Sequence, residues 1–166
     1  MVIVVLGVSG AGKTSFSKAL AAAMGWQFAD ADDFHSAQAI AKMHAHFPLS
    51  DADRLPWLAR LHQAIRTWQG QKRDVVLACS ALKERYRQVL KAGDPAVQFV
   101  FLQISFALAS QRVAKRAAAG GHFMPPDLLQ SQFDDLEVPT EAIVVDMDKH
   151  EPLDVQIEQV RRQLGL

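Results

Sequence analysis

The sequence predicts an α/β fold in which a parallel β-sheet is covered by helices. Two observations lead to this expectation. Short apolar runs rich in valine alternate along the chain with longer segments of helical composition. The first of these runs leads directly into a glycine-rich turn and then a helix. Because 166 residues can bury one hydrophobic core and no linker interrupts them, we expect a single domain over residues 1–166.

The predicted strands and helices alternate in a regular order. The strands span residues 2–6, 26–29, 74–79, 97–103 and 142–145. The helices span residues 13–24, 36–44, 52–68, 82–91, 106–118, 126–135 and 152–164. Strands that are apolar throughout are typical of a parallel sheet buried on both faces. The final helix carries an apolar stripe, which fits a helix that packs on such a sheet.

The turn after the first strand fits the P-loop pattern G-x-x-x-x-G-K-[ST], which binds nucleotide phosphates. Its glycines allow a tight backbone that points N–H groups inward, and the helix that follows adds the positive end of its dipole. Lys13 is expected to reach the outer phosphates, and the Thr14 hydroxyl to ligate Mg²⁺. An ordinary glycine-rich turn is the alternative, which the flanking strand and helix disfavour. The predicted nucleotide contacts are Gly7, Ser9, Gly10, Ala11, Gly12, Lys13, Thr14 and Ser15.

Carboxylates follow the second predicted strand. Asp30, Asp32 and Asp33 lie at the strand end where open α/β sheets bind ligands. A kinase needs one carboxylate there to help place Mg²⁺ and another to accept the proton of the attacking hydroxyl. We assign the metal role to Asp30 and the catalytic role to Asp32, with the reverse assignment left open. The structural alternative is that Asp32 or Asp33 caps the next helix.

Three cations are candidates for contacts to an anionic substrate. Arg54 lies in the first turn of the third predicted helix, and its planar guanidinium suits a carboxylate. A surface ion pair with Asp51 or Asp53 is the alternative for Arg54. Lys83 and Arg87 lie near the start of the next helix, where positive charge is unfavourable unless an anion binds there. Two solvated cations are the alternative reading of this pair.

A phosphate-closing lid is predicted over about residues 112–128. Arg112 and Arg116 are four residues apart and share one helix face. Two glycines and then two prolines break this helix into a loop. Arginines that lead into a flexible loop provide cations that reach the phosphates only on closure, and we expect Arg116 to take part in catalysis. A solvated helix face is the alternative.

Composition excludes several classes of function. Lys plus Arg equals Asp plus Glu at 18 each, so we expect no sequence-independent binding of nucleic acid or acidic membranes. The sequence has no apolar run of the roughly 18 residues that span a membrane, and its apolar start is too short for a signal peptide. The single cysteine, Cys79, cannot form an internal disulfide and is interpreted as a small buried hydrophobic residue. These features predict a cytoplasmic protein.

Beyond the P-loop, several short residue strings follow one another in a fixed order along the chain. They are Pro48-Leu49, Asp51-Ala52-Asp53-Arg54, Pro56-Trp57-Leu58, Cys79-Ser80-Ala81-Leu82-Lys83, Tyr86-Arg87, His122-Phe123-Met124-Pro125, Leu128-Leu129, Ser131-Gln132-Phe133, Leu136-Glu137 and Pro139. Together they resemble the small P-loop gluconokinases of bacteria. Each string is weak alone, and their order and spacing over nearly the whole chain make the resemblance specific.

The resemblance implies a P-loop NTPase fold like that of nucleoside monophosphate kinases, with a five-stranded parallel sheet, helices on both faces and a lid. It implies transfer of the ATP γ-phosphoryl group to the 6-hydroxyl of D-gluconate with Mg²⁺, and often a homodimer. Lys13 and Thr14 match the phosphate and metal positions, and Asp32 matches the carboxylate that faces the sugar hydroxyl. The substrate-side cations of the family match Arg54, Lys83 and Arg87. Its lid positions match Arg112, Arg116 and His122.

Two other functions stay open. A shikimate-kinase-like enzyme, or another small-molecule kinase, would share the P-loop and the Asp32 and Arg54 positions. It gives no reason for the string between His122 and Phe133. A non-catalytic nucleotide-binding module would bind nucleotide without turnover that depends on a sugar acid.

Overall fold

The computed structural model describes residues 1–121 and 124–166. Its strands are β1 (Val2–Leu6), β2 (Gln27–Asp30), β3 (Val75–Ala78), β4 (Val97–Gln103) and β5 (Ile143–Asp146). Its α-helices are α1 (Lys13–Met24), α2 (Ala37–His44), α3 (Asp51–Gly70), α4 (Glu84–Lys91), α5 (Phe106–Ala118), α6 (Pro126–Asp135) and α7 (Leu153–Leu164). Every predicted strand and helix is present, and short 3-10 helices that were not predicted follow β2 (Ala31–Phe34) and β5 (Met147–Lys149).

Neighbouring strands pair in parallel, in the order β2-β3-β1-β4-β5, which confirms the five-stranded parallel sheet. The central β1 aligns Val2 with Val75 of β3 on one side and with Val97 of β4 on the other. Because the strands run in one direction, their carboxyl ends meet at one edge of the sheet. The P-loop follows β1 at this edge, and Asp30 is the last residue of β2.

The core has two layers, one on each face of the sheet. Side chains of β1 alternate between them, so that Val4 joins the layer with α3 and α4 while Ile3 and Val5 join the layer with α1 and α7. All residues of β1 are fully buried, as predicted for a strand covered on both faces. Cys79 is buried as well, and burial raises the pKa of its thiol to about 12, so it stays protonated at neutral pH.

The caps of the helices after β2 do not use the Asp32 carboxylate, which stays available at the carboxyl edge of the sheet. Asp30 caps the first 3-10 helix by accepting a hydrogen bond from the Asp32 N–H, and Ser36 caps α2. Asp32 and Asp33 therefore cap neither of these helices, and the alternative role considered for them is wrong. Ser50, one of two predicted caps of α3, is confirmed and forms a capping box with Asp53. In the described part of the chain, no helix is both long and apolar enough to cross a membrane.

Candidate active site

A cavity of about 650 Å³ opens at the carboxyl edge of the sheet. This volume suits a small-molecule ligand. Its walls come from the P-loop, from the ends of β2 and β3, and from α3, α5 and α6. The predicted site residues among its lining are Ser9, Gly10, Gly12, Lys13, Thr14, Ser15, Asp30, Asp32, Arg54, Arg112 and Arg116.

The P-loop packs against α5, and two of its glycines make its backbone conformation and this close packing possible. Gly12 has a left-handed backbone (φ 94°) and forms the N-cap of α1 without any side-chain cap. A Cβ on Gly10, also left-handed at φ 84°, would lie 2.8 Å from the Ala109 carbonyl oxygen of α5. Only glycine therefore allows this close approach without strain. The uncapped start of α1 presents its N–H groups to the cavity, where an anion would be stabilised.

Lys13 is held inside the loop. Its Nζ donates to the Val8 carbonyl oxygen at 3.0 Å. Desolvation by the surrounding loop lowers the pKa of Lys13, and the carboxylates of Asp32 and Asp30 oppose that shift. The ammonium group is thus placed by the P-loop backbone, beside two carboxylates at the edge of the sheet.

Thr14, Asp30 and Asp32 form a connected group beside Lys13. The Thr14 hydroxyl lies 3.4 Å from Asp30 Oδ2, and Asp30 Oδ1 accepts from the Asp32 N–H at 3.0 Å. A hydroxyl and a carboxylate are hard oxygen ligands of the kind Mg²⁺ prefers, with water and phosphate oxygens completing the octahedron. The described residues contain no cluster of three or more His, Cys, Asp or Glu side chains suited to a metal. The donor set fits a nucleotide-bound Mg²⁺ better than a metal caged by protein.

The Asp32 carboxylate projects into the cavity mouth, where 79% of its side-chain surface is exposed. Partial desolvation by the cavity walls raises the pKa of Asp32, and the neighbouring charges of Asp30 and Asp33 raise it further. Lys13 acts in the opposite direction. A carboxylate with a raised pKa is a better proton acceptor than an ordinary aspartate.

His35 lies beside Asp32 and was missed by sequence reasoning. Its side chain is only 4% exposed, stacks on Trp57 at a centroid distance of 4.6 Å, and places Nε2 3.8 Å from Asp32 Oδ1. Burial lowers the pKa of His35, as do the charges of Arg60 and Arg54. The i, i+3 spacing of Asp32 and His35 across one helical turn was the available signal.

Arg54 and Lys83 converge on one carboxylate of α6. Arg54 lies 3.7 Å from Asp135 and Lys83 lies 3.3 Å from it, while Arg54 also donates to the Tyr86 hydroxyl at 3.1 Å. The ion pair of Arg54 is therefore with Asp135 and not with Asp51 or Asp53, which were the expected alternatives. Arg54 lines the cavity, and Lys83 reaches this place from the start of α4.

Arg87 is not brought to the cavity. Its guanidinium is 2% exposed and donates to the carbonyl oxygens of Ala81, Leu82 and Glu137 and to the carboxylate of Glu84. These bonds use all five N–H donors of the side chain, which leaves none for a substrate. The predicted substrate contact of Arg87 is thus corrected to a structural anchor between α4 and the segment after α6.

The two arginines of the predicted lid lie on α5. Arg112 lies 3.4 Å from the Gly10 carbonyl oxygen, and Arg116 lines the cavity one turn later. Gly121 packs tightly here, because a Cβ at this position would lie 2.6 Å from Arg116 Cγ and 2.7 Å from the Arg116 carbonyl oxygen. The prediction for His122 falls outside the described residues.

Helix α6 contributes two cavity residues that sequence reasoning did not single out. Gln132 Oε1 accepts a hydrogen bond from the Ser9 N–H of the P-loop at 2.8 Å, and Asp135 holds the two cations described above. Gln132 belongs to a string that carried the family resemblance. Nothing in its local sequence indicates that it would contact a loop more than a hundred residues away.

Comparisons with known proteins find close relatives of this chain. The AAA domain family matches residues 2–139. The gluconokinase of Arabidopsis thaliana is 43% identical over 146 residues, which cover 82% of this chain and 77% of that protein. A crystal structure of a sugar kinase from Janibacter is 41% identical with a TM-score of 0.88, covering 99% of this chain and 94% of that one. A gluconokinase structure from Sinorhizobium meliloti is 36% identical with a TM-score of 0.81, covering 98% and 94%.

More distant structures share the fold alone. Shikimate kinase from Bacteroides thetaiotaomicron has a TM-score of 0.66 at 18% identity, covering 100% of this chain and 99% of that one. This likeness shows that the chains share an architecture. It carries no information on the substrate.

Proposed function

The chain belongs to the gluconokinase family of P-loop kinases, and we propose that it transfers the γ-phosphoryl group of ATP to the 6-hydroxyl of D-gluconate. The observation that carries this proposal is a single cavity in which cations lie on two sides of Asp32. Lys13 and Arg116 lie on the P-loop side, and Arg54 lies on the α3 side. A reaction between two anions needs positive charge on both sides of the reacting atoms.

Asp32 is the proposed proton acceptor. As the hydroxyl oxygen forms its bond to the γ-phosphorus, the bond from that phosphorus to the β–γ bridging oxygen breaks, and the hydroxyl proton passes to Asp32. The products are ADP and 6-phospho-D-gluconate. Lys13 and Arg116 stabilise the negative charge on the transferred group. His35, held by its stack on Trp57, packs beside Asp32.

Mg²⁺ is the proposed metal, held by Thr14 and Asp30 together with nucleotide oxygens. When bound, it neutralises charge on the β- and γ-phosphates. Arg54, with Lys83 behind it, is the proposed partner of the gluconate carboxylate, since a guanidinium binds a carboxylate through two parallel hydrogen bonds. A cytoplasmic location and a homodimer remain predictions.

The test is ADP release measured across a panel of gluconate, shikimate and other hydroxy acids. The proposal expects turnover with gluconate well above the other acids. Lys13→Ala is the inactive control, expected to lower turnover by roughly 10²-fold or more while the fold is retained. Turnover with shikimate alone would identify a different kinase. Nucleotide binding without acid-dependent turnover would identify a non-catalytic module.

A further inference from the structure

One turn of α6 contacts both halves of the cavity. Gln132 and Asp135 are three residues apart, so they share a helix face, and both line the cavity. Gln132 reaches the P-loop, and Asp135 reaches Arg54 and Lys83. The same short helix therefore touches the side expected for the nucleotide and the side expected for the sugar acid.

The contact of Gln132 imitates a phosphate oxygen. P-loop N–H groups point inward to meet the oxygens of a bound phosphate. One of these donors, the Ser9 N–H, is taken at 2.8 Å by the amide oxygen Oε1 of Gln132. A nucleotide that uses this donor must first displace the amide. A phosphate oxygen can do so because it carries charge, which makes its hydrogen bond stronger than that of a neutral amide.

The contact of Asp135 imitates the substrate carboxylate. Its oxygens lie 3.7 Å from Arg54 and 3.3 Å from Lys83, the two cations expected to receive a sugar acid. A ligand carboxylate therefore competes with a protein carboxylate of the same chemistry. A neutral sugar brings no carboxylate to these cations, so the competition with Asp135 acts on acids.

The C-terminal end of α6 is fixed by hydrogen bonds of the segment that follows it. The contacts of Gln132 and Asp135 can therefore break by movement of their side chains alone. The residue after the helix turn, Glu137, donates from its N–H to the Leu82 carbonyl at 2.9 Å and accepts from the Glu84 N–H at 2.7 Å. Arg87 binds the Glu137 carbonyl at 2.8 Å. Gln132 and Asp135 are themselves only half-buried, which leaves room for their side chains to swing away.

We propose that Gln132 and Asp135 are internal stand-ins for substrate oxygens, displaced by an ATP phosphate and by the sugar-acid carboxylate respectively. The Asp135 half of this proposal rests on the proposed function, because it assumes that Arg54 receives the acid. The Gln132 half needs only nucleotide binding at the P-loop. Both residues lower substrate affinity by competition, Gln132 at the nucleotide side and Asp135 at the acid side.

The nucleotide half is tested by titrating a non-hydrolysable ATP analogue into Gln132→Ala and Gln132→Glu without any sugar acid. Gln132→Ala removes the competitor and should tighten binding by about 3- to 10-fold, the worth of one net hydrogen bond. Gln132→Glu places a charged acceptor on the Ser9 N–H and should weaken binding by about tenfold or more. If Gln132 instead contacts the phosphate directly, Gln132→Ala weakens binding. That result, or an unchanged Kd in Gln132→Ala, overturns the nucleotide half.

The acid half is tested by titrating gluconate into Asp135→Asn. Loss of the competing charge should tighten gluconate binding by about 3- to 10-fold and leave the Kd of the ATP analogue unchanged. Weaker or unchanged gluconate binding overturns this half, because Asp135 would then position Arg54 or contact the substrate. A wild-type protein that binds no gluconate overturns this half and the proposed function together, while the Gln132 result stands by itself.

Matched controls exist on the same helix. Gln130 and Asp134 are exposed, hydrogen-bond to each other at 2.8 Å, and do not line the cavity. Gln130→Ala and Asp134→Asn make the same chemical changes to α6 and should leave both Kd values at the wild-type level. Shifts in the controls that equal those of Gln132→Ala and Asp135→Asn would assign the effect to helix stability and overturn the proposal.

Discussion

The two sides of the cavity are built in different ways. The phosphate side combines the backbone N–H groups of the contiguous P-loop with two side chains of α5, Arg112 and Arg116. The acid side, made of Arg54, Lys83 and Asp135, is formed by side chains from three helices that are far apart in the chain. A backbone cradle is set by local conformation, whereas the acid side exists only after α3, α4 and α6 have packed.

This difference separates catalytic chemistry from substrate choice. Backbone donors bind any phosphate of suitable size, so the phosphate side is suited to a function that P-loop kinases share. Side chains can change singly without disturbing the loop, so we expect selectivity for a sugar acid to be set on the acid side. Asp32 lies between the two sides and is expected to affect turnover without belonging to either binding half.

The largest expected effect is that of Asp32→Asn. This change keeps the shape of the side chain and removes the proton acceptor, so kcat should fall by roughly 10²–10⁴-fold. The Kd of ATP should change far less, because Asp32 is not part of the cradle. Steady-state kinetics with a nucleotide titration measure both quantities. If Asp30→Asn abolishes turnover while Asp32→Asn remains active, the roles of the two carboxylates are reversed.

A smaller effect is expected for Gly121→Ala, which tests the lid end of the phosphate side. The added Cβ would overlap Arg116 Cγ and its carbonyl oxygen, so Arg116 must shift. We expect kcat to fall by about tenfold, since small displacements of a charge-stabilising group are costly. In an Arg116→Ala background the same change should add little to the loss of kcat. Additive losses would show that Gly121 acts by another route.

The smallest expected effect is a shift in the pH dependence of kcat. Asp32 must be deprotonated to accept a proton, so kcat falls as the pH drops through its pKa. Because that pKa is raised, the acid limb should lie above the pH typical of an ordinary aspartate. Asp33→Asn removes one of the charges that raise the pKa, so the limb should move to lower pH. Asp33→Glu keeps the charge and should leave the acid limb in place. An acid limb that stays in place in both variants would show that a group other than Asp32 causes it.

The contrast between the two sides also explains what could be predicted from sequence. The P-loop with its flanking strand and helix, and the carboxylates after β2, follow from contiguous residues, and each was predicted. Arg87 was misassigned because its burial, and its bond to the distant Glu137 carbonyl, depend on tertiary packing. Gln132 and Asp135 were missed for the same reason. Their helix was predicted correctly, but a helix pattern does not indicate which distant groups its face will meet.

The measurement that tests the division of the cavity most directly is the set of kcat, gluconate KM and ATP Kd values for Arg54→Ala and Arg116→Ala. Arg54→Ala should raise the gluconate KM by roughly 30-fold or more and leave the ATP Kd nearly unchanged. Arg116→Ala should lower kcat with little change in the gluconate KM. Arg66→Ala, an exposed arginine on α3 away from the cavity, is the control and should change neither. Equal weakening of ATP and gluconate in Arg54→Ala, or a change confined to the gluconate KM in Arg116→Ala, would contradict the separation of a phosphate side from an acid side.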